Sequence, residues 1–212
     1  MSLQFSYSLI APFYDAAIAK ASAGIRKKNL QHLPQHGNLT VLVNGIGTGL
    51  DIPYLPLQHH YVGLDVTAAM LKRAKPRIGA MKFDLVQGTS LALPFADESF
   101  DHVVLHLILA VVPDPTACLR ETARVLKPGG SVLVLDKFLR PHQRAWIRRM
   151  LTPISAQIAT RMDVVFEDVL AGVPQLGLIS DEPALAGGWF RTIRLTKHEF
   201  TREFTSPAYR GF

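Results

Sequence analysis

A short β-branched run that leads directly into three closely spaced glycines is the most constraining feature of this 212-residue chain. The run, Thr40–Val43, is followed by Gly45, Gly47 and Gly49. Glycine lets the chain turn tightly after a strand and lets a ligand approach the bare backbone. The G-x-G-x-G spacing differs from the G-x-G-x-x-G of dinucleotide-binding folds. By itself the pattern predicts a strand and a turn, with or without a ligand site.

An acidic residue follows at a distance that suits a nucleoside site. Asp65 lies 20 residues after Gly45, at the end of a second predicted strand, Tyr61–Leu64. In a Rossmann-like sheet, a carboxylate at this place accepts hydrogen bonds from both ribose hydroxyls. An acid at the end of a strand is also commonly a helix cap. The glycine turn and Asp65 together favour the nucleoside site.

Apolar runs alternate with helical patterns along the rest of the chain, which is typical of βα units around a parallel sheet. Further strands are predicted at Phe83–Gln87, Asp101–Leu109 and Ser131–Leu135, with Trp189–Leu195 among the last strands. Helices are predicted at Thr67–Arg77, with Thr67 as cap, at Pro115–Leu126, over much of 1–34 and over 140–170, with a break at Pro153. We interpret residues 1–212 as one domain, with 1–34 as an entry helix and 137–170 as a basic helical insertion.

The net charge of +6 is concentrated in one part of the chain. Between Lys137 and Met162 there are six Lys or Arg residues and no acid, and apolar residues recur at helical spacing. A basic amphipathic helix of this kind can lie on an anionic membrane surface. The alternative is that the apolar stripe packs on the domain and the arginines form a solvated face.

Composition excludes several other classes of protein. The chain has one cysteine, Cys118, so it can form neither an internal disulfide nor a thiolate metal cage. A single cysteine fits a reducing cytoplasm, and no apolar stretch is long enough to span a bilayer. His59/His60 and His102/His106 lack partners at metal-ligand spacing, and no nucleic-acid readout element is present. No metal and no nucleic acid are therefore expected.

Three later motifs carry a family resemblance. They are LPFADESFD at 93–101, VVPDP at 111–115 and RVLKPGG at 124–130. In this order and spacing they resemble the class I S-adenosylmethionine-dependent methyltransferases, and the resemblance covers about residues 5–136. It implies an α/β, Rossmann-like, seven-stranded sheet with helices on both faces. It also implies S-adenosylmethionine as cofactor, bound at the carboxyl ends of the first, second and fourth strands.

The same resemblance assigns roles to individual residues of this chain. The glycine turn, including Thr48, would line the methionine and ribose, and Asp65 would bind the ribose hydroxyls. The remaining cofactor positions are Val66 and Met70 beside the adenine, Thr89 and Ser90 near its amino group, and His106 and Leu107 beneath the sulfonium.

Two of these positions depart from the family pattern. Asn44 and Thr89 stand where the family normally has acids. Asparagine keeps hydrogen-bonding capacity but loses the attraction for the positive charges of the cofactor. We expect either weaker cofactor binding or compensation by neighbouring groups. A non-catalytic relative that binds cofactor or lipid is the alternative.

The methyl acceptor is indicated by the N-terminal sequence. YSLIAPFYDAAIA at 7–19 resembles the entry helix of bacterial phosphatidylethanolamine N-methyltransferases and of quinone C-methyltransferases. The chain length and the VVPDP element favour the former. We predict a cytoplasmic enzyme, with peripheral attachment to the inner face of the membrane, that methylates a phosphatidylethanolamine-type lipid. Tyr14, whose aromatic face attracts cations, and His106, as proton acceptor, are the catalytic candidates. C- or O-methylation of a quinone or another small molecule is the alternative.

Overall fold

The computed structural model describes residues 22–139, 164–185 and 188–199, which are built around a seven-stranded sheet. The strands are β1 (Thr40–Asn44), β2 (His60–Asp65), β3 (Phe83–Gln87), β4 (Phe100–His106), β5 (Leu126–Lys137), β6 (Leu176–Leu185) and β7 (Phe190–Lys197). Their order is β3-β2-β1-β4-β5-β7-β6. Strands β1 to β5 are parallel, and β7 is antiparallel to both β5 and β6. The predicted seven-stranded Rossmann-like sheet is confirmed.

Helices cover both faces of this sheet. Successive side chains of a strand point to opposite faces, so β1 contributes to two separate apolar clusters. Val41 and Val43 pack with helix α1 (22–30) and helix α2 (Ala68–Ala74). Leu42 packs in the other cluster with helix α3 (Pro115–Val125) and helix α4 (Phe166–Ala171). The predicted helices on both faces are confirmed.

Two predicted element boundaries differ from the structure. Strand β4 ends at His106, short of the predicted Leu109, because Leu107 has a positive φ of 60° and the amides of Val111 and Val112 donate to Ile108 O. Helix α2 begins after Thr67, as predicted, but the Thr67 side chain makes no cap hydrogen bond. A 3-10 turn at Lys75–Arg77 continues from α2, so the predicted helix spans two elements.

The predicted helical stretch at 140–170 lies mostly outside the described residues. Where it is described, Val165 forms a β-bridge with Leu139, so a helix continuous to residue 170 is wrong. Only Phe166–Ala171 is helical there. Lys137, the first residue of the predicted basic insertion, belongs to β5, and the arginines from Arg140 to Arg161 lie outside the described residues.

Strand β6 forms one edge of the sheet and is irregular. Its register against β7 shifts between Leu178 and Ser180 and again between Pro183 and Leu185. Leu178 and Ile179 are about half exposed at the first irregularity. No helix in the described part of the chain is long and apolar enough to cross a membrane.

Candidate active site

The carboxyl ends of β1 and β2 lie side by side at one edge of the sheet. Asn44 at the end of β1 pairs with Leu64, next to Asp65 at the end of β2, and β4 flanks β1 on its other side. The chain passes from β1 to β2 on one side and reaches β4 on the other. This edge is therefore a topological switch point, where ligands bind in open α/β sheets.

The three glycines after β1 serve two different purposes. Gly45 and Gly49 have φ of 76° and 81°, and a Cβ at either position would lie 2.7 Å from the Cδ1 of Ile108 or Ile52, respectively. Gly47 has φ of 55°, but no atom of the described residues beyond its chain neighbours lies within 4 Å of the place its Cβ would occupy. Packing requires Gly45 and Gly49, whereas Gly47 presents bare backbone to open space. A ligand that lies over the turn would need a bare backbone such as that of Gly47.

Asp65 is held beside Gly47 by two backbone amides. Gly47 N–H donates to Asp65 Oδ2 at 2.9 Å, and Thr67 N–H donates to Oδ1 at 2.8 Å. Burial raises the pKa of the Asp65 carboxyl, and these two hydrogen bonds and one from the Thr67 side chain act in the opposite direction. A carboxylate has about four lone-pair sites, so these donors do not use its whole acceptor capacity. The vicinal hydroxyls of a ribose fit this donor requirement.

The Asn44 side chain is committed to protein contacts. It is fully buried, its Oδ1 accepts from Ser90 Oγ at 2.6 Å, and its Nδ2 lies 3.9 Å from Cys118 Sγ. A carboxylate here would be an unpaired buried charge, which is costly, whereas an amide is satisfied. Burial raises the pKa of the Cys118 thiol to about 12, so this cysteine is a core residue, as predicted.

The other predicted cofactor positions differ in exposure. Val66 is 53% exposed directly after Asp65, Met70 is half-buried and Thr48 is buried. Thr89 is exposed, and its hydroxyl accepts from Leu91 N–H at 3.2 Å. Leu107 is half-buried in its left-handed backbone conformation. The exposed apolar surface of Val66 is the kind that a flat base would cover.

His106 lies on the α1 side of the sheet and its side chain is 1% exposed. Its Nδ1 lies 2.7 Å from Asp51 Oδ1, and its Nε2 lies 2.9 Å from Asn29 Nδ2. Arg26 Nη1 donates to the same Asp51 oxygen at 2.8 Å. Both ring nitrogens are engaged, so this arrangement leaves neither free to take a proton from an acceptor. Tyr14, the other catalytic candidate, lies outside the described residues.

Sequence reasoning missed Arg26, Asn29 and Asp51. Burial alone would raise the pKa of the Asp51 carboxyl, but His106 and the Arg26 guanidinium hold it well below its usual range. A local signal did exist, since Asp51 directly follows the glycine turn and Arg26 and Asn29 are three residues apart on one helix face.

Asp136 is a second acid that the sequence did not indicate. It is fully buried near the end of β5, and it accepts from Ala110 N–H at 3.0 Å and Lys137 N–H at 2.8 Å. Its carboxyl thereby anchors the loop that follows β4. Burial raises the pKa of Asp136 to about 6, although both amides favour the charged form.

Asp136 is expected to make the free energy of unfolding fall as the pH rises from about 4 to 7. In this range the folded state retains a proton that the unfolded state releases, so the unfolded state gains stability. A shift from 3.8 to about 6 corresponds to roughly 3 kcal/mol. In urea titrations, the difference in unfolding free energy between wild type and Asp136→Asn should change by about this amount over that range. A pH-independent difference would contradict the assignment.

The described residues contain no group of three or more His, Cys, Asp or Glu side chains arranged to hold a metal ion. The histidines have separate partners instead. His102 bonds to Ser131 Oγ at 2.7 Å, and His60 bonds to Asp84 Oδ2 at 2.7 Å.

Comparisons with known proteins show which family this chain resembles. Residues 42–134 match the family model of a methyltransferase domain. The phosphatidylethanolamine N-methyltransferase of Cereibacter sphaeroides is 31% identical over 189 residues, covering 87% of this chain and 92% of that protein. The ubiquinone/menaquinone biosynthesis C-methyltransferase UbiE of Roseobacter denitrificans is 35% identical over 147 residues, covering 63% and 58%.

The fold has close counterparts among solved structures. A Haloferax volcanii protein described as a putative methyltransferase, solved in complex with the Trm112 methyltransferase activator, superposes with a TM-score of 0.75 at 16% identity. The match covers 94% of this chain and 99% of that one, and at this identity it shows the fold alone. Together, the sheet order, the glycine turn with Asp65 and the similarity over most of the chain identify the family. The chain belongs to the class I S-adenosylmethionine-dependent methyltransferases.

Proposed function

We propose that this methyltransferase methylates the amine of a phosphatidylethanolamine-type phospholipid at a membrane surface. The main support for this methyl acceptor is the 31% identity to a phosphatidylethanolamine N-methyltransferase over 87% of this chain. The basic stretch from Lys137 to Met162 supports a lipid surface, because it would be attracted to anionic headgroups. We place the enzyme in the cytoplasm, attached peripherally to the inner face of the membrane.

The chain contributes mainly binding and orientation to this reaction. When bound, S-adenosylmethionine supplies a methyl group already activated by a positively charged sulfur. Asp65 would accept the ribose hydroxyls, Gly47 would lie under the ligand, and Val66 would cover one face of the base. Alignment of the acceptor nitrogen with the methyl group and exclusion of water then account for the rate enhancement. Tyr14 is the candidate for the acceptor side, since an aromatic face attracts an ammonium group.

A second acceptor class has an observation in its favour. The UbiE relative is 35% identical, although over a shorter stretch of 147 residues. In a quinone acceptor, a ring carbon would attack the methyl group in place of an amine nitrogen. The same cofactor site would serve both reactions, so only the product distinguishes them.

Radiolabelled donor distinguishes these acceptors. The purified protein is incubated with methyl-labelled S-adenosylmethionine and three kinds of vesicle: phosphatidylethanolamine with anionic lipid, phosphatidylcholine with the same anionic lipid, and the latter with a demethylated quinone. We expect label in N-methylated phosphatidylethanolamine alone, and none with Asp65→Asn. Label in the quinone alone would overturn the lipid assignment. Cofactor binding without label in any vesicle would favour a non-catalytic relative.

A further inference from the structure

A buried chain of hydrogen bonds joins α1 to the segments on both sides of the glycine turn. Asp51 Oδ1 accepts from Arg26 Nη1 at 2.8 Å and lies 2.7 Å from His106 Nδ1. Asn29 Nδ2 lies 2.9 Å from His106 Nε2. All four residues are at most 6% exposed. We call these four residues the Asp51 network.

The Asp51 network fixes the position of the proton on the His106 ring. Asn29 Nδ2 also donates to Val134 O at 3.2 Å, and a carbonyl oxygen can only accept. The amide nitrogen of Asn29 must therefore face the ring, so Nε2 accepts and Nδ1 donates to Asp51. With a neutral His106 ring, the network contains one cation, Arg26, and one anion, Asp51. A charged ring would make Arg26 and His106 share the single carboxylate of Asp51.

Two members of the Asp51 network are close in sequence to the residues that pack on the first and last glycines of the turn. Asp51 precedes Ile52, whose amide donates to Gly49 O at 3.2 Å and whose side chain packs on Gly49. His106 is followed by Leu107 and then by Ile108, whose side chain packs on Gly45. Ile52 and Ile108, whose side chains leave no room for a Cβ at Gly49 and Gly45, are therefore each within two residues of a network member.

We infer that Arg26, Asn29, Asp51 and His106 are positioning residues that hold the glycine turn in its cofactor-binding shape, with His106 as a neutral hydrogen-bonding link between Asp51 and Asn29. This role replaces the proton-accepting role that the sequence suggested for His106. Helix α1, which carries none of the cofactor motifs, then influences cofactor affinity through Arg26 and Asn29. The inference rests on the cofactor site of the proposed function and is independent of the methyl acceptor.

Three substitutions of His106 test this role by calorimetric titration with S-adenosylmethionine. Asparagine can replace Nδ1–H as donor to Asp51, glutamine can replace Nε2 as acceptor from Asn29, and leucine can do neither. We expect His106→Asn to stay within about 3-fold of wild-type affinity and His106→Leu to lose at least about 10-fold. His106→Gln should fall between them. The control, His102→Asn, lies on the same strand and bonds to Ser131 instead, so it should leave the affinity unchanged.

A measurement on the ring itself completes the test. ¹⁵N NMR at pH 7 should find His106 protonated at Nδ1 and bare at Nε2. A proton on Nε2 would overturn the inference. So would a His106→Asn variant that binds S-adenosylmethionine normally but loses methyl transfer and one limb of its pH–rate profile, because a proton acceptor behaves in that way.

Two further variants keep these outcomes distinguishable. If His106→Leu does not fold, Asn29→Leu removes one link without unpairing Asp51 from Arg26, and it should also weaken cofactor binding; unchanged affinity would count against the network. Asp65→Asn is titrated in parallel. If Asp65→Asn loses cofactor affinity while the variants of His106 and Asn29 bind normally, the network inference fails and the cofactor site is supported. If Asp65→Asn also binds normally, the cofactor site itself is misplaced.

Discussion

Replacing Asp65 by asparagine is expected to lower the affinity for S-adenosylmethionine by at least about 100-fold, which corresponds to about 2.7 kcal/mol. The charged carboxylate would accept two ribose hydroxyls, and hydrogen bonds to charged groups contribute about 1.5–3 kcal/mol each. In the wild type, the amides of Gly47 and Thr67 donate to the carboxylate. In Asp65→Asn, the side-chain NH2 would face either a ribose hydroxyl or one of these amides, and two donors cannot pair with each other. Calorimetric titration with the cofactor alone measures this loss.

The matched control for this prediction is Asp84→Asn on β3. Asp84 is 67% exposed and pairs with His60, away from the glycine turn. It should leave cofactor affinity unchanged. A thermal scan without cofactor checks that Asp65→Asn is folded, since the substitution changes the hydrogen bonds that Asp65 accepts from Gly47 and Thr67. Cofactor affinity within a few-fold of wild type in a folded Asp65→Asn protein would refute the proposed ribose contact.

Alanine at Gly45 and at Gly47 should separate folding from cofactor binding. Both positions have positive φ, so both substitutions incur about 1–2 kcal/mol of backbone strain. At Gly45 the new methyl would also lie 2.7 Å from Ile108, which adds about 1–3 kcal/mol of overpacking. At Gly47 it would meet none of the residues in the described part of the chain within 4 Å, but it would occupy the space proposed for the ligand.

We therefore expect Gly45→Ala to unfold at lower urea than Gly47→Ala, by about 1–3 kcal/mol in unfolding free energy. In contrast, Gly47→Ala should lose at least about 10-fold in cofactor affinity while remaining folded, a cost of about 1.4 kcal/mol. Urea titrations and calorimetry measure the two quantities separately. Equal stabilities would contradict the packing of Ile108 on Gly45, and normal cofactor affinity in Gly47→Ala would contradict a ligand over the turn.

The parts of the fold that sequence could predict are those encoded locally. The strand before the glycine turn, the second strand and Asp65 follow from short continuous apolar runs and from the need for positive φ at the glycines. The structure brings Gly47 and Asp65 into direct contact. The end of β4 was mispredicted because Leu107 is an apolar residue in a conformation that apolar residues rarely adopt, so the apolar run Asp101–Leu109 gave no sign of the turn.

The local signal in Arg26, Asn29 and Asp51 does not predict the Asp51 network as a whole, because its members come from distant parts of the sequence. Arg26 and His106 lie 25 and 55 residues from Asp51, and no periodicity connects such separations. The buried Arg191 of β7 is a similar case: it pairs with Glu167 of α4 and Asp181 of β6, and its guanidinium lies over the rings of Phe138 and Phe166. Charged residues of this kind read as solvated positions in a sequence and become core positions only once the strands are paired.

The irregular course of β6 bears on how the protein behaves at high concentration. A straight edge strand offers a row of unpaired amides and carbonyls that another chain can join, which leads to aggregation. Two register shifts bend this edge, and Pro183 removes one amide donor from it. The exposed Leu178 and Ile179 therefore lie in a strand whose shape does not favour pairing with a strand of a neighbouring molecule.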